Sequence, residues 1–112
     1  MLLGCVDGEG CDTARARLLL QSKDSPIWYR GLALDAERHL CSNVQRVLAL
    51  FGAARVVVGH TVMPWGRFKT RCGGAVHLID VGMSAAYANT WAVWRCVGGR
   101  VFGHYAERVV EL

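Results

Sequence analysis

Two short stretches concentrate the residue types that do chemistry. In "RVVVGHTVM", residues 55 to 63, three valines run into Gly59, His60 and Thr61. In "HLIDVGMSAAY", residues 77 to 87, His77 and Asp80 are followed by Gly82, Ser84 and Tyr87. An imidazole serves near neutral pH as a metal ligand or a proton carrier. Its own surroundings allow His60 two readings: a core histidine whose ring fills space, or a site residue delivered at the end of a strand. The second needs a reason for Gly59, which would let the backbone turn sharply and leave room beside the imidazole. The Thr61 hydroxyl could then fix the loop or a ring nitrogen.

His77 and Asp80 are three apart, so on one strand they face opposite sides and cannot both bind one ion from the extended segment. Asp80, at the strand's end, either faces the crevice of His60 or simply caps a turn. His60 and Asp80 do not complete a metal site, because zinc takes three or four protein ligands and hard ions take several oxygens. His39, beside Glu37 and Arg38, reads as surface, and His104 in the last hairpin as structural or exposed. No G-x-S-x-G elbow occurs and no cysteine has an adjacent base in the sequence, which argues against acyl transfer. "GCVDGEG" has the wrong glycine spacing, and no preceding strand, for a dinucleotide or P-loop cradle.

These residues need a scaffold, and the hydrophobic pattern predicts an α/β one. "TARARLLLQ", residues 13 to 21, supports a two-turn helix with Ala14 and Leu18 on one side, marginal without tertiary contacts. In "SKDSPIWYRG" Ser25 precedes Pro26, which steers it away from helix. The clearest helix spans 35 to 52, where Ala36, Leu40, Val44, Val47, Leu48 and Phe51 recur at helical period. Asp35 is the expected N-cap and Gly52 the expected stop. "ARVVVGH" then reads as a buried strand following a helix, the pattern of parallel or mixed sheets. In such sheets ligands collect at the carboxyl ends of strands, which is where His60 falls. "GRFKT" is an edge strand, "AVHLIDVG" a second core strand, and "WAVWRCV" pairs with "RVFGHYAERVVEL" through Gly98 and Gly99.

The whole chain bounds these readings. Its 112 residues suffice for one domain. The apolar share of 53% is slightly above, and the charged share of 20% somewhat below, globular averages, so the chain carries much surface that wants burial. Net charge is +4, but the basic residues are scattered, and only Arg67, Lys69 and Arg71 alternate. Nucleic-acid binding is therefore not expected, since phosphate recognition uses a continuous basic footprint. Cys5, Cys11, Cys41, Cys72 and Cys96 contain no C-x-x-C pair. An odd count without a secretory segment predicts reduced thiols in an intracellular, cytoplasmic chain. No apolar run approaches the roughly 18 to 20 residues of a membrane span, and residues 1 to 11 read as a loop or ragged end.

Taken together, "SPIWYRG", "RVVVGHTVM" and "GGAVHLIDVGMSAAY" resemble the C-terminal half of calcineurin-like metallophosphoesterases, especially the Shewanella-like protein phosphatases. The resemblance covers roughly residues 25 to 105 and implies part of a β-sandwich flanked by helices. In such enzymes two metal ions of the Mn, Fe or Zn class sit at strand ends and hydrolyse phosphate monoesters. By resemblance His60 is a metal ligand, Arg30 of "WYRG" approaches the substrate phosphate, and Tyr87 lines the substrate groove. An imidazole suits such ions, and a guanidinium offers phosphate a fork of donors that lysine lacks. The G-D-x-H-G, G-D-x-x-D-R-G and G-N-H-E segments that supply most ligands in the family do not occur in this chain. The resemblance therefore implies a C-terminal phosphatase fragment, acting on phosphoserine or phosphothreonine only when completed by the missing half. The alternative is a non-catalytic binding or regulatory module built on the same sheet.

Overall fold

The computed structural model describes residues 13–23, 25 and 27–112. The expected loop over residues 1 to 11, the side chain of Ala14 and Pro26 lie outside the described residues. The chain divides into two compact units, Met1–Arg30 and Gly31–Leu112.

In the first unit α1 spans Thr13–Gln21. Ser25 is a turn centre, its carbonyl accepting from the N–H groups of Trp28 and Tyr29. The indole N–H of Trp28 donates back to the Leu20 carbonyl at 2.7 Å, tying the turn to the helix.

The second unit is α/β, with two helices and two three-stranded sheets: α2 (Gly31–Leu34), α3 (Glu37–Phe51), β1 (Val56–Val58), β2 (Lys69–Arg71), β3 (Val76–Leu78), β4 (Ala92–Val97), β5 (Arg100–Tyr105) and β6 (Val109–Glu111). The first sheet has the order β1-β3-β2 and the second β4-β5-β6. β1 runs parallel to β3 with Val57 opposite His77, whereas β2 lies antiparallel at the edge. The mixed sheet and the β2 edge expected from the pattern are both present, but β1, expected to be buried, forms the other edge and leaves Val57 exposed. The β4–β5 hairpin turns at Gly98 and Gly99, both with positive φ, the conformation that a two-residue turn of this hand requires.

α3 begins two residues later than expected. Asp35 does not cap it; its N–H instead ends α2 on the Gly31 carbonyl, and Ala36 occupies the cap without a side-chain bond. The helix stops at Gly52 as expected, with the Ala53 N–H returning to the Leu48 carbonyl. Only Leu40, Val44 and Leu48 of its predicted face are buried, against Val76, Leu78, Met63 and Ala75. Three short strands cover one helical stripe, so Val47, Leu50 and Phe51 remain exposed.

Polar links join the regions of the two sheets. Trp94 reaches His77, the Tyr105 hydroxyl accepts from the Phe68 N–H at 3.1 Å, and Arg55 donates to the Gly99 carbonyl. Of the alternating basic residues, Arg67 and Lys69 are exposed and Arg71 is not. Arg71 is only 7% exposed and donates to the carbonyls of Leu32 and Asp35, with its Nε 3.6 Å from Glu37. These carbonyls lie at the corner between α2 and α3, which β2 faces, so a guanidinium fork is consumed inside the fold. Arg67 sits over the Tyr105 ring.

The expectation of reduced cysteines is also corrected. Cys41 on α3 and Cys72 just after β2 form a disulfide, with Cα atoms 5.3 Å apart. Sequence spacing hid the pair because 31 positions separate partners that packing brings together. Among the described residues Cys96 is a free, exposed thiol.

Candidate functional site

Parallel pairing puts the carboxyl ends of β1 and β3 side by side, since Val58 pairs with Leu78 and the Ile79 N–H donates to the Val58 carbonyl at 2.9 Å. Beyond that point one strand releases Gly59, His60 and Thr61, and the other Ile79 and Asp80. The Met63 N–H donates to the Asp80 carbonyl at 2.7 Å, folding the first loop back over the second.

His60 is exposed, with φ 64°, so it is not a core histidine. The left-handed residue is His60 itself rather than Gly59, and a Cβ on Gly59 would meet nothing within 4 Å. The room expected from Gly59 is therefore not what shapes the turn; an imidazole-bearing residue accepts the uncommon backbone conformation.

Asp80 caps its own loop, Oδ1 accepting from the Gly82 N–H at 2.9 Å. Gly82 is where the two loops interlock: a Cβ there would stand 3.1 Å from both Val62 Cγ1 and Tyr87 Cβ. Tyr87 ends a turn whose N–H bonds the Ser84 carbonyl, and it is 73% exposed. The loops carrying His60, Asp80 and Tyr87 thus meet at one end of the first sheet. Beneath them a cavity of about 300 Å³ is lined by Gly59, Asp80 and Met83, with Phe68, Ile79 and Trp94 as its apolar wall. Arg30, half-buried, closes the first unit.

His77 has a different role. It is only 2% exposed, and both ring nitrogens are engaged, Nδ1 with the Trp94 indole and Nε2 with the Gly74 carbonyl. Burial pushes its pKa down, and the Arg55 charge adds to that, against the bond to Gly74. His39 is exposed and its Nε2 accepts from Arg38, and His104 is half-buried in β5.

Among the described residues no group of three or more His, Cys, Asp or Glu could hold a metal ion. These residues alone therefore do not fit the two-ion set that the family resemblance implies. His60 can supply one imidazole, while one oxygen of its neighbour Asp80 is already committed to Gly82. No helix among the described residues is long and apolar enough to cross a membrane.

Over 72 residues, 64% of this chain and 21% of the relative, the sequence is 40% identical to an uncharacterized protein of Schizosaccharomyces pombe. It is 32% identical over 66 residues, 56% of this chain and 18% of the relative, to Shewanella-like protein phosphatase 1 of Plasmodium berghei. The chain spans about a fifth of the length of these curated relatives. No family profile matches it, and no solved structure matches it significantly.

Proposed function

We propose that this chain is the C-terminal part of a metal-dependent, intracellular phosphatase that hydrolyses phosphate monoesters, phosphoserine and phosphothreonine included. The observation that carries this reading is His60, an exposed imidazole at the shared carboxyl end of two parallel strands, in a chain similar to a named protein phosphatase. In this reading His60 is one ligand of a Mn-, Fe- or Zn-class ion whose other donors come from residues outside the described set. Arg30 offers its guanidinium fork to the phosphate, and Tyr87 flanks the groove. Bound ions of this kind supply charge neutralisation and an activated water. The partner is a phosphorylated substrate and not nucleic acid, a view supported by the use of Arg71 inside the fold. The isolated chain is inactive.

The test is a chimera in which residues 25–105 replace the corresponding segment of the Plasmodium relative. Metal-dependent hydrolysis of p-nitrophenyl phosphate is expected, and His60→Ala or Arg30→Ala should lower kcat/KM by at least about 100-fold. Unchanged turnover in a folded His60→Ala chimera would refute the ligand role. Metal-dependent turnover by the isolated chain, lost in His60→Ala, would refute its dependence on outside donors.

The absence of a ligand cluster among the described residues favours a second reading, a non-catalytic binding or regulatory module. A chimera that folds but hydrolyses nothing would support it.

A further inference from the structure

We infer that the Cys41–Cys72 disulfide is a reversible redox latch, closing the turn after β2 onto α3 and so holding the α2–α3 corner. This goes beyond the phosphatase reading and does not rest on it.

The turn is a node. Cys72 has φ 53°, a left-handed conformation that residues with a Cβ seldom take, and Gly73 and Gly74 continue it. Cys72 is held there by the bond to Cys41, by its N–H donating to Glu37 Oε1 at 3.2 Å, and by its carbonyl accepting from the Ala75 N–H at 3.3 Å. Immediately before it, Arg71 grips the carbonyls of Leu32 and Asp35. Two residues after it, the Gly74 carbonyl accepts from His77, whose other nitrogen accepts from Trp94. Cys72 packs against the edge of the core of Leu40, Val44 and Leu48 on Val76 and Leu78, but neither cysteine is among that core's buried residues. Opening the disulfide frees the turn without removing the core.

Both cysteines are half-buried, within reach of a dithiol reductant. A thiolate of that dithiol attacks one sulfur and the S–S bond breaks into a mixed disulfide, which the second thiolate resolves. Two electrons and two protons reach Cys41 and Cys72 as thiols, and the dithiol leaves as a disulfide. In reducing compartments protein disulfides are mostly of this transient kind. With the bond open, Cys72 relaxes toward ordinary backbone angles and Arg71 loses its fixed approach to the corner.

The experiment uses the full chain with Cys5, Cys11 and Cys96 changed to serine, purified without reductant and compared with its dithiothreitol-treated form. Tryptic cleavage of the Arg71–Cys72 bond, followed by mass spectrometry, should be about tenfold faster after reduction, as local opening predicts. Far-UV circular dichroism should stay unchanged, and oxidised glutathione should restore protection. Adding Cys41→Ser should give the fast rate with or without reductant. Complete alkylation of both cysteines in the unreduced protein, or equal cleavage rates, would overturn the latch. So would loss of the circular dichroism signal on reduction, which would make the bond a fixed staple.

Discussion

Trp94 on β4 donates its indole N–H to Nδ1 of His77 on β3 at 3.1 Å, a bond that crosses from one sheet to the other. An indole nitrogen can only donate, so Nδ1 is an acceptor and Nε2 carries the proton given to the Gly74 carbonyl. A second proton on the ring would face the Trp94 N–H, donor against donor. The ring packs edge-on to the indole, with centroids 5.9 Å apart.

From this follows a pH dependence of stability. The unfolded histidine titrates near about 6.5, and burial holds the folded one lower. Above the unfolded value both states are neutral and the contribution is complete. As pH falls below it, the unfolded chain takes up a proton that the folded chain refuses, at a cost of up to about 1.4 kcal/mol per pH unit until the folded value is reached. Urea midpoints should drop as pH falls below about 6.5, and His77→Gln should flatten that part of the profile.

Arg71 makes a second prediction. Replacing it by methionine keeps an unbranched apolar stem but strands the carbonyls of Leu32 and Asp35, at about 2–3 kcal/mol. Arg71→Lys should recover less than half of the loss, because one ammonium cannot reproduce the fork. Chemical denaturation of the two variants checks the order.

Gly66 makes a third. Its φ is 63°, and a Cβ there would lie 2.5 Å from Thr90 Cγ2, so two loops of the candidate site meet where no side chain fits. Gly66→Ala should cost about 1–3 kcal/mol, and a Thr90→Ser partner should return part of it by removing the colliding methyl. A double-mutant cycle in thermal unfolding measures the coupling.

How much of this was legible in the sequence depends on how local each feature is. α3, the parallel strand before His60, the edge position of β2 and the glycine hairpin are written in short-range periodicity and turn chemistry, and the structure contains them. The carboxyl-end location of His60 came from the same pattern, but its left-handed backbone did not, because glycine beside it was the obvious candidate. The internal use of Arg71 leaves no trace in the sequence, which places no carbonyl near it; the α2–α3 corner lies more than 30 residues away. Cys41 with Cys72 and His77 with Trp94 were hidden for the same reason: long-range partners carry no spacing signature. Helical period marked Val47 and Phe51 as core, yet periodicity cannot tell how wide a sheet will cover the helix.

That uncovered stripe yields a further expectation. Val47, Leu50 and Phe51 lie together on the outer side of α3, and exposed apolar patches promote association. Leu50→Glu should reduce self-association and dye binding while leaving the unfolding midpoint within about 0.5 kcal/mol. Analytical ultracentrifugation at several concentrations checks it.

The ligand role of His60 is tested most directly by counting metal in the chimera with the Plasmodium phosphatase. Elemental analysis after dialysis should find two ions per molecule with His60 and a clear shortfall with His60→Ala, at matched folding. An identical metal content in the two proteins would contradict the account.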